Sequence, residues 1–210
     1  TYPVVVEIKE DDVVIATIEG DLVIAGAIHE IDLVPGWNMI SYNITPTSSA
    51  IEDVLSSIDG KYSLVYAWDA SGNHSSSGNW VRYDPVVPYG NTLTELDVRM
   101  GFCIFMEEAA TLSIVGIDET SVTIPLVVNV GGWNLVGYPS ATNVDLPEAL
   151  EDHGVTDYTI VYAYHAADTT DPWKLFDPSV DPIYNDLTYM SPGWGYWIFV
   201  TEDSDWEVIY

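Results

Sequence analysis

The chain contains one stretch of sequence nearly twice, and this duplication limits what it can fold into more than any other feature. Gly36-Trp37-Asn38-Met39-Ile40-Ser41-Tyr42 returns 96 residues later as Gly132-Trp133-Asn134-Leu135-Val136-Gly137-Tyr138, and the same spacing carries Leu64-Val65-Tyr66-Ala67-Trp68 onto Ile160-Val161-Tyr162-Ala163-Tyr164. Farther on, Trp80 matches Trp173, Asp84-Pro85 matches Asp177-Pro178, and Gly101-Phe102-Cys103-Ile104-Phe105 matches Gly195-Tyr196-Trp197-Ile198-Phe199, at spacings of 93 to 94. Loops of unequal length absorb the difference. So many anchors in one order imply two modules of one fold.

The repeat extends backwards. Ile18-x-Gly20 lies 16 residues before Gly36, just as Ile114-x-Gly116 lies 16 before Gly132. A closing strand like that of residues 13–19 therefore occurs three times, again at 111–115 and at 206–210. The division that follows is an N-terminal strand segment at 1–20, a first module at 21–116 and a second at 117–210. The leading copy reads either as part of a stacked array or as one extra edge strand.

Alternation and punctuation assign the elements. Residues 4–8, 13–18, 22–34, 62–68, 102–106, 122–130, 158–164 and 196–200 are rich in β-branched and aromatic side chains and read as strands. Each module also carries one short helix. Ser49 and Glu52 form a capping-box pair ahead of the apolar face Ile51, Val54, Leu55 and Ile58, and Asp145 and Glu148 occupy the same places in the second copy. The fold class expected is mainly β, two tandem β-sandwich-like modules, each with one short α-helix, plus an N-terminal extra strand.

Charge narrows the partners. The 210 residues hold 33 acidic and 5 basic side chains, a net charge of −28, yet 48% of the chain is hydrophobic. Such a chain can bury enough surface to fold. Lys9, Lys61, Arg82, Arg99 and Lys174 are scattered singly, so no surface can neutralise a nucleic-acid backbone or an anionic bilayer. No apolar run is long enough for membrane insertion, and no charged and apolar leader opens the chain, which reads as a mature or trimmed start. The single cysteine, Cys103, cannot form an intrachain disulfide; its match in the second module is Trp197, which marks a packing position.

Catalytic signals are lacking: there is no Gly-x-Ser-x-Gly elbow, no phosphate-binding glycine loop and no His-Glu-x-x-His helix, so the chain reads as a non-enzyme. Asp69-x-Ser71-x-Asn73 has the oxygen spacing of the start of a calcium loop without its later glycine and glutamate. Asp69, Asp168, Asp171, Asp203 and Asp205 are weak candidate ligands for Ca²⁺, the one cofactor considered. Asn43 and Asn73 head glycosylation sequons. Matched aromatics (Trp37/Trp133, Tyr42/Tyr138, Tyr66/Tyr162, Trp68/Tyr164, Trp80/Trp173 and Phe102/Tyr196) read as core, which leaves the unmatched Tyr189 and Trp194 as glycan-binding candidates.

Gly-Trp-Asn-Leu-Val-x-Tyr-Pro at 132–139, Val-Tyr-Ala-Tyr at 161–164, Trp-Lys-x-Phe-Asp-Pro at 173–178 and Asn-Asp-Leu-Thr-x-Met-x-Pro-Gly-x-Gly-Tyr-Trp-Ile at 185–198 resemble the GWN(L/M)(I/V)S…GYWI repeats of secreted and cell-surface proteins, especially of methanogenic and related archaea. The likeness spans most of residues 28–210; the first copy departs from it at Val98-Arg99-Met100-Gly101-Phe102-Cys103. It implies extracellular β-modules of surface layers, adhesins or filaments, and it supplies no catalytic residues.

The expected function is therefore that of a structural extracellular protein that self-assembles into a surface layer or filament, with itself as partner and divalent cations screening its charge. The expected mechanism is strand exchange. Tyr2, Val4, Val5, Val6 and Ile8 form an apolar segment with no repeat equivalent, suited to pairing with another chain; pairing of residues 1–10 wholly within their own chain would exclude it. The alternative is a carbohydrate-binding or adhesion module, marked by several aromatic side chains on one open face.

Overall fold

The structure, a computed structural model, describes residues 2–10, 13–22, 26–72, 79–87 and 89–209, the first two stretches by their backbone pairing alone. It is mainly β, with antiparallel sheets throughout. Strands β1 (Tyr2–Glu10) and β2 (Val13–Leu22) pair with each other along their whole length and form a two-stranded sheet of their own. Tyr2 lies opposite Leu22, Val4 opposite Gly20, Val5 opposite Glu19, Val6 opposite Ile18 and Ile8 opposite Ala16. The strand-exchange mechanism expected for this segment is thereby overturned. Two β-branched-rich strands only two residues apart in sequence close on each other at little entropic cost, so residues 2–10 are not a loose strand.

The first module runs through β3 (Ala27–Leu33), β4 (Gly36–Ile40), β5 (Thr45–Pro46), helix α1 (Ile51–Val54), β6 (Tyr62–Trp68), β7 (Trp80–Tyr83), β8 (Phe102–Met106) and β9 (Ala110–Ile117). The second runs through β10 (Ser121–Leu126), β11 (Trp133–Val136), β12 (Val144–Asp145), helix α2 (Glu148–Glu151), β13 (Tyr158–Tyr164), β14 (Trp173–Phe176), β15 (Tyr189–Met190), β16 (Tyr196–Val200) and β17 (Ser204–Ile209). Each has one four-stranded sheet, ordered β4-β8-β6-β7 in the first and β11-β16-β13-β14 in the second. Smaller sheets complete each module: β3-β9-β5 in the first, β10-β17 and β12-β15 in the second. The closing strands β9 and β17 thus pair inside their own modules, with β3 and β10.

Two apolar cores lie inside these layers, one built from residues between Ile31 and Ile114 and the other from residues between Ile124 and Val208. Ile51, Val54, Leu55 and Ile58 are all buried as their spacing predicts, but the helix is a single turn followed by a 3-10 turn. The capping box does not form. Ser48, not Ser49, supplies the hydroxyl at this end, donating to the Asp53 carboxylate, while the Ser49 carbonyl accepts Leu96 N–H. In the second module Asp145 belongs to strand β12 opposite Tyr189, because the helix starts only after Pro147. The strand expected at 122–130 stops at Leu126, and of the one expected at 22–34 Leu22 belongs to β2 and Ala27–Leu33 to β3, with Gly26 outside a strand.

The modules meet through reciprocal contacts. Ile40 bridges Trp194, and Val136, its equivalent, bridges Met100, the equivalent of Trp194. Ser41 N–H donates to Gly193 O at 3.1 Å and Gly137 N–H to Arg99 O at 2.8 Å, again an equivalent pair. Each module therefore presents the same patch to the other, which is an approximate twofold relation. The backbones come so close that the matched glycines are required: a Cβ on Gly101 would lie 2.5 Å from Val136 O, and one on Gly195 2.9 Å from Ile40 O. Neither is needed for an unusual φ; both are needed for space. Gly101→Ala should lower stability by about 1–3 kcal/mol as an overpacking change, and Gly195→Ala by less, both read from urea denaturation midpoints.

Candidate functional site

The strand period of two decides which aromatic side chains enter the core and which leave it. On β6, Val65 and Ala67 are fully buried, so Tyr66 and Trp68 point to the other face; on β13 Val161 and Ala163 do the same for Tyr162 and Tyr164. On β8 and β16, Phe102, Ile104, Tyr196 and Ile198 face inward, which turns Cys103, Phe105, Trp197 and Phe199 outward. Trp37, Trp80 and Trp173 are 41%, 40% and 50% exposed. Most matched aromatics expected in the core therefore line the outer face of the two four-stranded sheets; Tyr42, Tyr138, Phe102 and Tyr196 are the ones inside.

The ring geometry is built twice. Trp37 and Tyr66 have centroids 6.1 Å apart and planes at 38°, while Trp133 and Tyr162 are 6.1 Å apart at 29°. Trp37–Phe105 at 5.2 Å and 75° is matched by Trp133–Phe199 at 5.1 Å and 76°. Tyr66–Trp80 at 5.9 Å corresponds to Tyr162–Trp173 at 6.2 Å, and Trp68–Trp80 at 5.3 Å to Tyr164–Trp173 at 5.0 Å. These tilted and edge-to-face contacts leave a groove in each module. One of about 620 Å³ is lined by Trp37, Tyr66, Trp80, Arg82, Gly90, Thr92 and Cys103. The other, of about 510 Å³, is lined by Trp133, Tyr162, Trp173 and Trp197, with Trp68 and Trp80 reaching in from the first module. Both lie within the size range of small-ligand sites.

Trp197 joins the two. Its ring packs edge-to-face on Trp68, Trp80 and Trp133 at 5.6, 5.7 and 6.0 Å. The indole N–H of Trp68 donates to Trp133 O at 2.9 Å, tying the first groove's wall to the second module. Cys103 holds the place of Trp197 in the first groove; burial pushes its thiol up to about 11, which keeps it protonated at neutral pH.

The outward positions of the two sheets carry no carboxylate, although the chain holds 33 acids; Arg82 is their one charged side chain. The remaining cations with described side chains lie elsewhere, each beside a carboxylate: Lys61 with Glu108, Arg99 with Asp97, and Lys174 with Asp168, Asp171 and Asp186.

The residues singled out from the sequence are not brought together. Tyr189 is exposed and stacks on Trp194, but Trp194 sits at the module junction against His165, and its carbonyl accepts the Ser41 hydroxyl at 2.6 Å. Of the calcium candidates, Asp69 caps its own turn by accepting Ser71 N–H, and Asp203 accepts Val128 N–H. Asp205 lies opposite Pro125 in the β10–β17 pair. Asp168 and Asp171 flank Lys174 Nζ at 3.0 and 3.5 Å, so an ammonium group fills the position a cation would take, and its hydrogen bond holds the Asp168 carboxyl well below the usual range. Among the described residues, no three His, Cys, Asp or Glu side chains converge as metal ligands do. Asn43 is partly buried between the modules, donating from Nδ2 to Ser140 O at 3.4 Å, and Asn73 lies outside the described residues.

No family model, curated protein or solved structure matches this chain.

One titratable group stands out at the junction. Burial, aided by the Lys174 charge, lowers His165 from 6.5 to about 4, and its Nε2 is buried with no hydrogen-bond partner. Burial lowers His29 as well. Since the folded state holds His165 neutral while the unfolded chain protonates near 6.5, its contribution is present above that pH and is lost as pH falls toward 4. His165→Gln should therefore narrow the difference in stability between pH 6.5 and 4.5, and the His165 Cε1–H resonance should titrate near pH 4.

Proposed function

We propose that this chain is a carbohydrate-binding module of the cell exterior, which holds a neutral glycan in its paired aromatic grooves. The observation that supports this reading is the duplicated set of outward rings, Trp37, Tyr66 and Trp80 with Trp133, Tyr162 and Trp173, repeated in the same mutual geometry. Pyranose rings present flat patches of polarised C–H groups that lie well on the electron-rich faces of indole and phenol. Exposed tryptophan otherwise costs solubility, so its retention in two copies calls for an occupant.

Charge argues for a neutral one. A protein of net charge −28 repels acidic partners, and the outward strand positions of this face carry no carboxylate to pair with a basic one. The same repulsion weighs against a second copy of the chain closing over the face. Two adjacent grooves on one rigid unit also favour a polymer, because the second contact is intramolecular once the first has formed. Placement outside the cell rests on the resemblance to secreted GWN-type repeats.

The test is affinity electrophoresis of the full chain through gels containing soluble neutral polysaccharides, with β-glucan, xylan and galactomannan as probes. The wild-type protein should be retarded by at least one of them. Trp37→Ala and Trp133→Ala should each weaken retardation about tenfold or more, as truncation of a buried aromatic anchor does, and the double variant should run as in an empty gel. Retardation by none of the probes, or unchanged retardation of the double variant, would remove this reading. Sedimentation that reveals a dimer broken by Trp133→Ala would replace the glycan by a second copy.

A further inference from the structure

The two grooves share their rings but not their polar groups. At the position of Leu175 the first groove has Arg82, and at that of Trp197 it has Cys103. The second groove is walled by aromatic rings alone. Among the described residues Arg82 is the only charged side chain at the outward strand positions of this face, with Asp84 just beyond the end of β7, and its donors are mostly unused within the described protein. Nη2 reaches Asp84 Oδ2 at a long 3.4 Å, and Nε, which is buried, has no acceptor among the described residues, so the exposed Nη groups are the ones that can reach a ligand. A guanidinium carries five N–H donors in a fixed plane, so at least a pair of them remains for a ligand. Its side chain is 34% exposed, and Thr92, whose hydroxyl accepts Arg82 N–H, stands at the same wall. The Asp84 carboxylate beside it offsets the charge, which suits hydroxyl oxygens better than a carboxylated sugar.

Resting on the glycan reading above, we propose that the first groove is the selective subsite, in which Arg82 donates hydrogen bonds to sugar hydroxyls, and that the second groove binds sugar rings by stacking without distinguishing their hydroxyl pattern. Stacking is tolerant because every pyranose offers an apolar patch. Selection requires directed donors that are left unsatisfied when a hydroxyl points the wrong way. The substitution of Arg by Leu and of Cys by Trp between otherwise duplicated sites gives each module one of these roles.

The experiment uses the full chain and two neutral oligosaccharides that differ only in the configuration of one hydroxyl per ring, cellohexaose and mannohexaose, with dissociation constants from isothermal titration. The wild-type protein should prefer one of them by about tenfold, the scale of a charge-assisted hydrogen bond. Arg82→Leu, which installs the residue that β14 carries at the equivalent position, should bring the ratio close to unity while the weaker ligand keeps its affinity. Trp173→Ala should weaken both ligands by the same factor and leave the ratio intact. Thermal unfolding of each variant, matched to wild type, shows that the fold is retained; Arg82→Met, which keeps the aliphatic stem and removes the donors, provides a second reading of the ratio if Arg82→Leu does not fold. Binding with an unchanged ratio in the Arg82 variants would overturn this inference and leave the glycan reading standing. Binding of neither oligosaccharide, nor of the polysaccharides above, would remove both.

Discussion

The close approach of two backbones at the module junction is the constraint on which the rest of this structure depends. Main-chain groups, not side chains, make the reciprocal contacts: Ser41 to Gly193, Gly137 to Arg99, and the bridges of Ile40 with Trp194 and Val136 with Met100. Backbone bonds of this kind are directional and fix rotation as well as distance. Gly101, Gly195 and Gly137 leave room for them; even the methyl of alanine at Gly137 would meet Val98 O at 2.5 Å. Where the first module has Ser41 in place of Gly137, the hydroxyl is used across the junction, donating to Trp194 O and accepting Tyr138 N–H. The outcome is a closed pair. An isologous contact uses each module's patch once, so this interface cannot propagate into an array of further modules.

That closure sets where the aromatic face goes. Across the junction Trp197 of the second module stands against Trp68 and Trp80 of the first, and two separate grooves become neighbours. The acids lie away from the outward positions of these strands. They occupy turns and the outer faces of the smaller sheets, as Asp32, Glu119 and Glu207 do. A chain of high negative charge thus has one face whose outward strand positions hold no acid, with Asp84 at its margin beside Arg82. Segregation of this kind keeps the molecule soluble through its other surfaces while leaving an uncharged patch available.

The duplication and most strands were legible in the sequence because each rests on local pattern. The strands at 62–68, 102–106, 158–164 and 196–200 have the bounds that their β-branched and aromatic content implies. The site was not read, although its signal was present. Val65-x-Ala67 and Val161-x-Ala163 place small and β-branched side chains on one face, and a core wide enough for Ala67 cannot also hold Tyr66 and Trp68 from the same strand. Treating every repeated aromatic residue as core ignored that parity. The N-terminal segment failed for another reason: the absence of a repeat equivalent says nothing about partners nearby in sequence, and β2 was the nearest available strand edge. The junction was invisible because a glycine kept for space carries no periodic mark.

The approximate twofold relation also accounts for why the two grooves differ. A glycan chain has direction, with its reducing end at one terminus, whereas two sites related by a twofold axis present their residues in opposite senses. A single chain crossing both grooves therefore meets the second one reversed. Had each groove carried the same directed donors, one of them would face hydroxyls in the wrong order and leave a charged group unsatisfied, which costs more than having no such group at all. Aromatic faces have no such polarity. Under the glycan reading, a duplicated site on a twofold junction can serve one continuous chain only if at least one copy gives up its directed polar contacts. Leu175 and Trp197, where the first module has Arg82 and Cys103, are the substitutions that condition requires.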